Sequence, residues 1–273
     1  PKEIRAVIKS SPFSTPLLSL VLATGLLLGL TPAAWAEETK IPKKMPAPFT
    51  EDQRGAMEDF VRDFILDNPE VLMESVNRYQ EQQTKKREED AQNILKSSSD
   101  FLFKNPQLPE TGNPKGDVAV VEFFDFNCGY CKRAFEAVLK TIEEDKNVRV
   151  VFIDLPILSP QSKTASQWAL ASAKQGKYFE FHKALMMHNG PKNDEALAEE
   201  AKKLGLDVEK MKKDAASPDV EAILAKNSEF AQKLGISGTP GFILGDQIVR
   251  GFVEYDGFKA LIAAERAKKT ATK

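Results

Sequence analysis

Cysteine is scarce in this chain, at 2 of 273 residues, and histidine is equally rare at 2. A single pair excludes a disulfide framework of the kind that staples small secreted domains. Zinc would need two further ligands beside the cysteines, and neither His182 nor His188 stands at ligand spacing from them. Positive charge is in no excess. The formal net charge of −2 argues against a nucleic-acid partner, which would require a basic face. Long apolar runs are limited to one, close to the N-terminus. No second run follows, so the mature protein is not expected to span a membrane. What is left, 42% hydrophobic and 29% charged residues, is the composition of an ordinary soluble globular protein.

The one apolar run reads as an address. Lys2, Arg5 and Lys9 precede an uncharged stretch from Leu17 to Leu30, and Ala34-Trp35-Ala36 then places small residues where a signal peptidase cuts. This is the secretory pattern, and the run is short for a bilayer span. The alternative is an uncleaved membrane anchor. Export to an oxidising compartment changes how the two cysteines read, because a thiol pair there forms a disulfide unless something reduces it.

Beyond a polar, proline-rich leader, Thr50 and Gln53 form a capping-box signature. Met57, Phe60, Val61, Phe64 and Ile65 follow at helical spacing, and the helix is expected to stop near Asp67. Asn68-Pro69 begins a second helix with proline at its first position. Leu72, Val76 and Tyr79 give it a thin apolar stripe, and Gln80 to Gln92 is nearly all polar, as in a solvated stalk. These helices are too small to bury their own apolar faces. They are expected to self-associate. The other possibility is a hairpin docked back on the main domain.

In the main domain Phe101-Leu102-Phe103 reads as a short edge strand and residues 109–117 as a turn cluster. Residues 118–124 (VAVVEFF) read as a strand buried on both faces. An amphipathic helix through Phe135, Val138, Leu139 and Ile142 follows, then a strand over 148–154. Strand, helix, strand implies a right-handed parallel unit. Residues 160–235 read as helices, with caps at Asn193, Asp207 and Ser217-Pro218. A hairpin turning at Gly245-Asp246 and a last helix holding Phe258, Leu261 and Ile262 complete the chain.

Cys128 and Cys131 stand two residues apart where the buried strand hands over to a helix. A loop that short adds almost nothing as a staple. At the helix N-cap, free backbone N–H groups and the positive end of the dipole favour a thiolate, so the pKa of Cys128 is expected to fall. Thiolate is the attacking species in disulfide exchange. Cys131, one turn in, is expected to be more buried and to resolve the mixed disulfide. The spacers Gly129 and Tyr130 contain no histidine to donate to the thiolate, which predicts a weaker oxidant. Glu122 is an acid inside an apolar strand. Burial would raise its pKa and make it a proton acceptor for Cys131, unless it faces an exposed edge. Asp125, at the strand end, is expected to be solvated, and His182 to be a packed helix residue. Thr239-Pro240 opens a strand after a turn, a position proline tolerates. A copper-binding thiolate pair remains an alternative use of the cysteines.

The stretch "VEFFDFNCGYCK", the helical insert and "GTP" before the last hairpin resemble the DsbA-like branch of the thioredoxin superfamily. The N-terminal helices resemble those of the oligomeric suppressor-of-copper-sensitivity C proteins. The resemblance implies an α/β thioredoxin fold with an inserted α-helical domain and an N-terminal helical oligomerisation segment. It implies Cys128 as nucleophile, Cys131 as resolving thiol, Glu122 as buried acid, and Thr239 with cis-Pro240 facing the cysteines. Gly129, Tyr130, Thr239 and Pro240 would contact substrate. The implied organisation is a signal peptide at 1–36, a leader at 37–49 and the helical segment and stalk at 50–99. The DsbA-like domain would span 100–268, with its insert at about 160–235, and a tail 269–273. No metal and no cofactor beyond the redox-active Cys128–Cys131 disulfide are expected. The implied partners are unfolded or misoxidised exported proteins in the periplasm, a membrane redox partner of the DsbD or DsbB kind, and other copies of the chain, as a dimer or trimer. Oxidases of the DsbA type carry Pro-His between the cysteines and Val before the cis-proline. Gly129-Tyr130 and Thr239 look instead like the DsbC-type isomerases. The expected activity is therefore isomerase or mixed oxidase/isomerase, with a dedicated oxidase or a copper-binding or chaperone protein as alternatives.

Overall fold

The computed structural model describes residues 49–105 and 108–271. The expected signal peptide and nearly all of the expected leader lie outside the described residues, and among these no helix is long and apolar enough to cross a membrane. The chain divides into one unit ending at Asp67 and a second spanning Asn68–Lys273.

In the first unit, helix α1 (Glu51–Asp67) begins at the reciprocal capping box read from the sequence. The Thr50 N–H donates to Gln53 Oε1 at 2.9 Å and the Gln53 N–H to Thr50 Oγ1 at 3.3 Å. Glu51 and Asp52 set negative charge at its positive end. Its apolar side chains Met57, Phe60, Val61, Phe64 and Leu66 are exposed.

The second unit opens with α2 (Pro69–Ser97), 29 residues long with proline in its first turn, or about 44 Å at 1.5 Å per residue. Val71, Leu72, Met73, Val76 and Tyr79 on its first half are exposed, and only Ala91 and Leu95 near its end are buried. That end is moored to the last hairpin: Glu88 pairs with Arg250 at 3.0 Å, and Gln92 Nε2 donates to the Asp246 carbonyl at 3.1 Å.

Phe101-Leu102-Phe103 is not an edge strand. It belongs to the short helix α3 (Ser99–Lys104), which buries Leu102. Aromatic composition favours a strand, but three residues are too few to override a helical start, where the Leu102 N–H already bonds the Ser98 carbonyl at 3.0 Å. The edge strand is β1 (Glu110–Gly112), within the expected turn cluster. It pairs antiparallel with β3 and turns away at Gly112, whose φ of 82° suits glycine.

The sheet runs β1-β3-β2-β4-β5. β2 (Val118–Phe124) and β3 (Val148–Asp154) are parallel and joined by α4 (Gly129–Glu144). β4 (Gly241–Leu244) lies antiparallel on the other side of β2, followed by β5 (Gln247–Arg250) through a turn at Gly245, φ 57°. The central β2 alternates between two cores. Val118, Val120 and Phe124 face α4, the insert and α10 (Tyr255–Ala271), while Val121 and Phe123 face Leu95, Leu102, Ala231 and Leu234. The insert comprises α5 (Pro160–Ala173), α6 (Tyr178–Met187), α7 (Asp194–Lys203), α8 (Val208–Ala215) and α9 (Pro218–Lys233). Ser159, Asn193 and Asp207 cap α5, α7 and α8 through their side chains.

Phe258 locks α10 onto the sheet. It is 1% exposed and sits edge-on to Phe242 with ring centroids 4.9 Å apart. Phe258→Ala is expected to cost about 3–5 kcal/mol, read as a lowered midpoint in urea with an unchanged slope.

Candidate active site

The strand-to-helix junction carries the expected dithiol. Cys128 is the N-cap of α4, in extended conformation, and its sulfur accepts the Cys131 N–H at 3.3 Å. On its other side the Cys128 thiol donates to the Thr239 carbonyl, also at 3.3 Å. The Thr239-Pro240 bond is cis, and Thr239 reaches the Cys128 sulfur from the far end of the sequence. Cys128 is 7% exposed and Cys131 fully buried, and both thiols are free.

The electrostatics separate the two sulfurs. A hydrogen bond from the Cys131 thiol is the leading cause that brings Cys128 down to about 6. Burial opposes it, while Thr239 and the Cys131 and Tyr130 N–H groups add to the lowering. The second thiol thus does more than the helix end. Cys131 moves the other way: burial, its bond to Cys128 and the nearby Glu122 charge hold its proton far more tightly than usual. Cys128 is thus the more readily ionised sulfur, and Cys131 the one that holds its proton.

Glu122 is completely buried at the middle of β2, between Phe152 and Phe242 of the neighbouring strands. The edge-facing alternative is thereby removed. Neither carboxylate oxygen has a hydrogen-bond partner among the described residues. Burial, with a smaller part from Cys128, pushes its pKa up to about 8. Loss of the Cys128 charge would lower the cost of ionising Glu122.

Asp125 is not solvated. It is fully buried, and its carboxylate accepts the N–H groups of Asn127 at 2.7 Å, Ile157 at 2.9 Å and Leu158 at 3.0 Å. Asn127 Nδ2 in turn donates to Ser159 and Ser162, both at 3.0 Å. The loop carrying Cys128 is braced against the start of the insert by these bonds. Sequence reading missed the brace because its partners lie some thirty residues away in a segment with no motif. Tyr130, and Ile157 and Leu158 bonded to Asp125, present exposed apolar surface at 58%, 46% and 54%. Tyr130 leans toward Phe252 and Arg133. His182 is the packed residue expected, enclosed by Phe124, Phe126, Phe135, Phe152 and Tyr178, and burial lowers its pKa to about 3. His188 faces Glu200 at 3.7 Å.

A family model described as Thioredoxin matches residues 104–264. The chain belongs to the thioredoxin family. A second family model, the copper resistance protein ScsC N-terminal domain, matches residues 53–86. Among solved thioredoxin-like structures, an oxidoreductase from Silicibacter pomeroyi is 45% identical at a TM-score of 0.59, covering 62% of this chain and 97% of that one. A Proteus mirabilis ScsC linker-deletion mutant is 27% identical at a TM-score of 0.60, covering 82% and 100%. The probable disulfide bond formation protein D of Bacillus cereus is 28% identical over 64% of this chain and 87% of its own length. The match to a Na(+)/H(+) antiporter, NhaA 1 of Salinispora arenicola, is 28% identical over 56% of this chain. The chain spans only about a quarter of that relative, at 24%.

Two pH dependences follow. The folded pKa of Cys128 is depressed, so its contribution to the stability of the reduced protein is present above the unfolded thiol value and fades as pH falls through about 6. The folded pKa of Glu122 is raised, so its contribution is present below the usual carboxylate value and is lost as pH rises through about 8. Glu122→Gln is therefore expected to stabilise the reduced protein more at pH 8 than at pH 5, read as the shift in urea midpoint at the two pH values. Equal shifts at both would contradict an uncompensated buried carboxyl.

Proposed function

We propose that this protein is a periplasmic thiol–disulfide oxidoreductase acting on exported proteins, as an isomerase or mixed oxidase/isomerase, and working as a homo-oligomer. The observation that carries this reading is the asymmetric sulfur pair, with Cys128 acidified by Cys131 and by the end of α4 while Cys131 is held as the thiol. The redox chemistry needs no cofactor beyond these two residues.

In reduction or isomerisation the Cys128 thiolate attacks one sulfur of a substrate disulfide. A Cys128–substrate bond forms, and the other substrate sulfur leaves as thiolate. If a different cysteine thiolate of the substrate then attacks the substrate sulfur of the mixed disulfide, a new substrate disulfide forms, Cys128 leaves as thiolate, and the disulfide has moved with no net redox change. If it does not, Cys131 passes its proton to ionised Glu122 and attacks the Cys128 sulfur. Reduced substrate is released and the Cys128–Cys131 disulfide forms. Oxidation of a substrate dithiol is the same sequence reversed. Exposed apolar Tyr130, Ile157 and Leu158, with Thr239 beside the sulfur and Pro240 next in the chain, suit an unfolded polypeptide as the substrate.

The isomerase preference is supported by Gly129-Tyr130 and Thr239. Tyr130 is largely exposed, so the spacer supplies no side-chain donor to the thiolate. Isomerisation needs Cys128 kept reduced, which assigns a membrane reductant of the DsbD kind as partner. An oxidase would use a DsbB-like oxidant instead. The Wolbachia pipientis relative described as a thiol-disulfide exchange protein, 26% identical, supports the chemistry. The match of residues 53–86 to the ScsC N-terminal domain and the exposed apolar side chains of α1 and the first half of α2 support assembly through that segment.

Reduced protein is expected to reactivate scrambled ribonuclease and to reduce insulin, and Cys128→Ser to abolish both. Failure of the wild type in both assays removes the reading. Deleting residues 50–86, which leaves Glu88, Ala91 and Leu95 in place, is expected to leave a monomer in light scattering that keeps insulin reduction and loses at least ten-fold in ribonuclease reactivation. A variant that stays oligomeric refutes the assembly role.

A further inference from the structure

Two parallel strands lose their backbone link once each turns toward its own helix. The β2–β3 ladder ends at the Phe124 and Asp154 pair, and one further backbone bond follows, from the Leu155 N–H to the Phe124 carbonyl at 2.8 Å. The Asp125 side chain carries the link past that point. Its Oδ2 accepts the N–H groups of Ile157 at 2.9 Å and Leu158 at 3.0 Å, and its Oδ1 accepts the Asn127 N–H at 2.7 Å. Its own backbone carbonyl accepts the Cys128 N–H at 3.0 Å. Asn127 Nδ2 adds a bond to Ser159, the residue that caps α5, at 3.0 Å. One buried residue thus holds the nucleophile's backbone with its carbonyl and the 157–158 segment with its carboxylate.

The segment held in this way is unusual for a connection. Among the described residues beyond α2, the large apolar side chains that stay exposed are Tyr130, Ile157, Leu158, Met187 and Ile223. Surface loops are commonly polar and mobile. Here the amides of residues 155, 157 and 158 are bonded inward, while Ile157 and Leu158 leave their side chains in water. Apolar surface on a backbone already fixed binds a partner without the ordering cost of a mobile loop. A cavity of about 170 Å³ adjoins it, lined by Leu155, Pro156, Ile157 and Leu224, with the Lys163–Glu221 ion pair (2.7 Å) in its wall. Such a space suits one aliphatic side chain.

We propose that Asp125 is a positioning residue for client binding. It fixes Ile157 and Leu158 as an apolar ledge on the same frame as the Cys128 loop, so that a client cysteine flanked by an apolar residue is held there while its disulfide meets the thiolate. This deepens the functional reading above and rests on Cys128 as the exchanging thiol. The occupant is a stretch of unfolded polypeptide, because such a chain exposes the apolar side chains that a folded one buries. Asp125 acts here through the placement of the ledge and not through the acidity of the sulfur.

The test measures how fast the reduced full chain is oxidised by two disulfide-bridged peptides, identical except that leucine flanks the bridge in one and serine in the other. Each peptide is reduced to its dithiol as the Cys128–Cys131 disulfide forms, and the mass of the protein after alkylation follows the reaction. The ratio of the two second-order rates reads the ledge, whereas a change confined to the nucleophile moves both rates together. Wild type is expected to favour the leucine peptide about ten-fold, and the double variant Ile157→Ser/Leu158→Ser and Asp125→Ala are each expected to lose most of that preference. Adding Asp125→Ala to the double variant is expected to lower the ratio no further, since both remove one contact. Should Asp125→Ala fail to fold, Asp125→Asn replaces it, because its one carbonyl oxygen cannot serve both Asn127 and the Ile157 and Leu158 amides. An Asp125 variant that slows both peptides alike and keeps the wild-type ratio overturns the proposal. So does a ledge variant with the wild-type ratio, or a further fall in the combined variant. A wild type oxidised by neither peptide overturns the functional reading and this inference with it. A wild type oxidised by both at equal rates overturns this inference alone.

Discussion

The site depends on one sulfur seated at the mouth of a helix. Cys128 takes the place a serine or aspartate would take as N-cap and accepts the N–H that such a cap would satisfy. Because the cap is a thiol, the same bond that finishes the helix stabilises the charged form of the sulfur. Folding of α4 and activation of the nucleophile are thus one event. The parallel β2-α4-β3 unit aims that helix end, and the antiparallel β4 brings Thr239 and Pro240 to it from the opposite side.

Around this seat the protein has collected uncompensated polar groups that a purely structural core would avoid. Glu122 lies in the central strand without a hydrogen-bond partner among the described residues, and Asp154 is buried nearby, bonded to Tyr178 at 2.8 Å and raised to about 7 by its burial. Burying such groups costs stability. In the proposed exchange Glu122 would use its raised pKa, as a base that becomes available when the neighbouring thiolate is consumed. The Phe124, Phe126, Phe135 and Phe152 rings packed around His182 keep this region dry and so keep those shifts large.

Much of this was legible in the residues. The apolar run 118–124, the dithiol at its end and the Gly245-Asp246 turn are local signals, and the strands, the N-cap and the hairpin sit where those signals place them. Glu122 was legible because an acid in an apolar strand is conspicuous. Asp125 was not, since nothing local announces that three N–H groups, two of them from residues 157 and 158, will converge on it. Lys192 is 2% exposed although its Gly-Pro-Lys-Asn stretch reads as surface, for the same reason: its burial comes from elements far away in sequence. Phe101-Leu102-Phe103 misled because its alternating aromatics satisfy a strand and a helix turn equally, and the packing of Leu102 under the sheet decided between them.

The mooring of α2 has a mechanical consequence. Arg250 joins Glu88 of that helix to the carbonyls of Leu234 and Gly235, and the next residue, Gly251, donates its N–H to the Pro240 carbonyl at 2.9 Å. The root of the long rod and the turn carrying Pro240 are therefore fastened to adjacent residues, the last of β5 and the one that follows it. A pull on the rod would therefore be passed to the turn that carries Thr239 and Pro240.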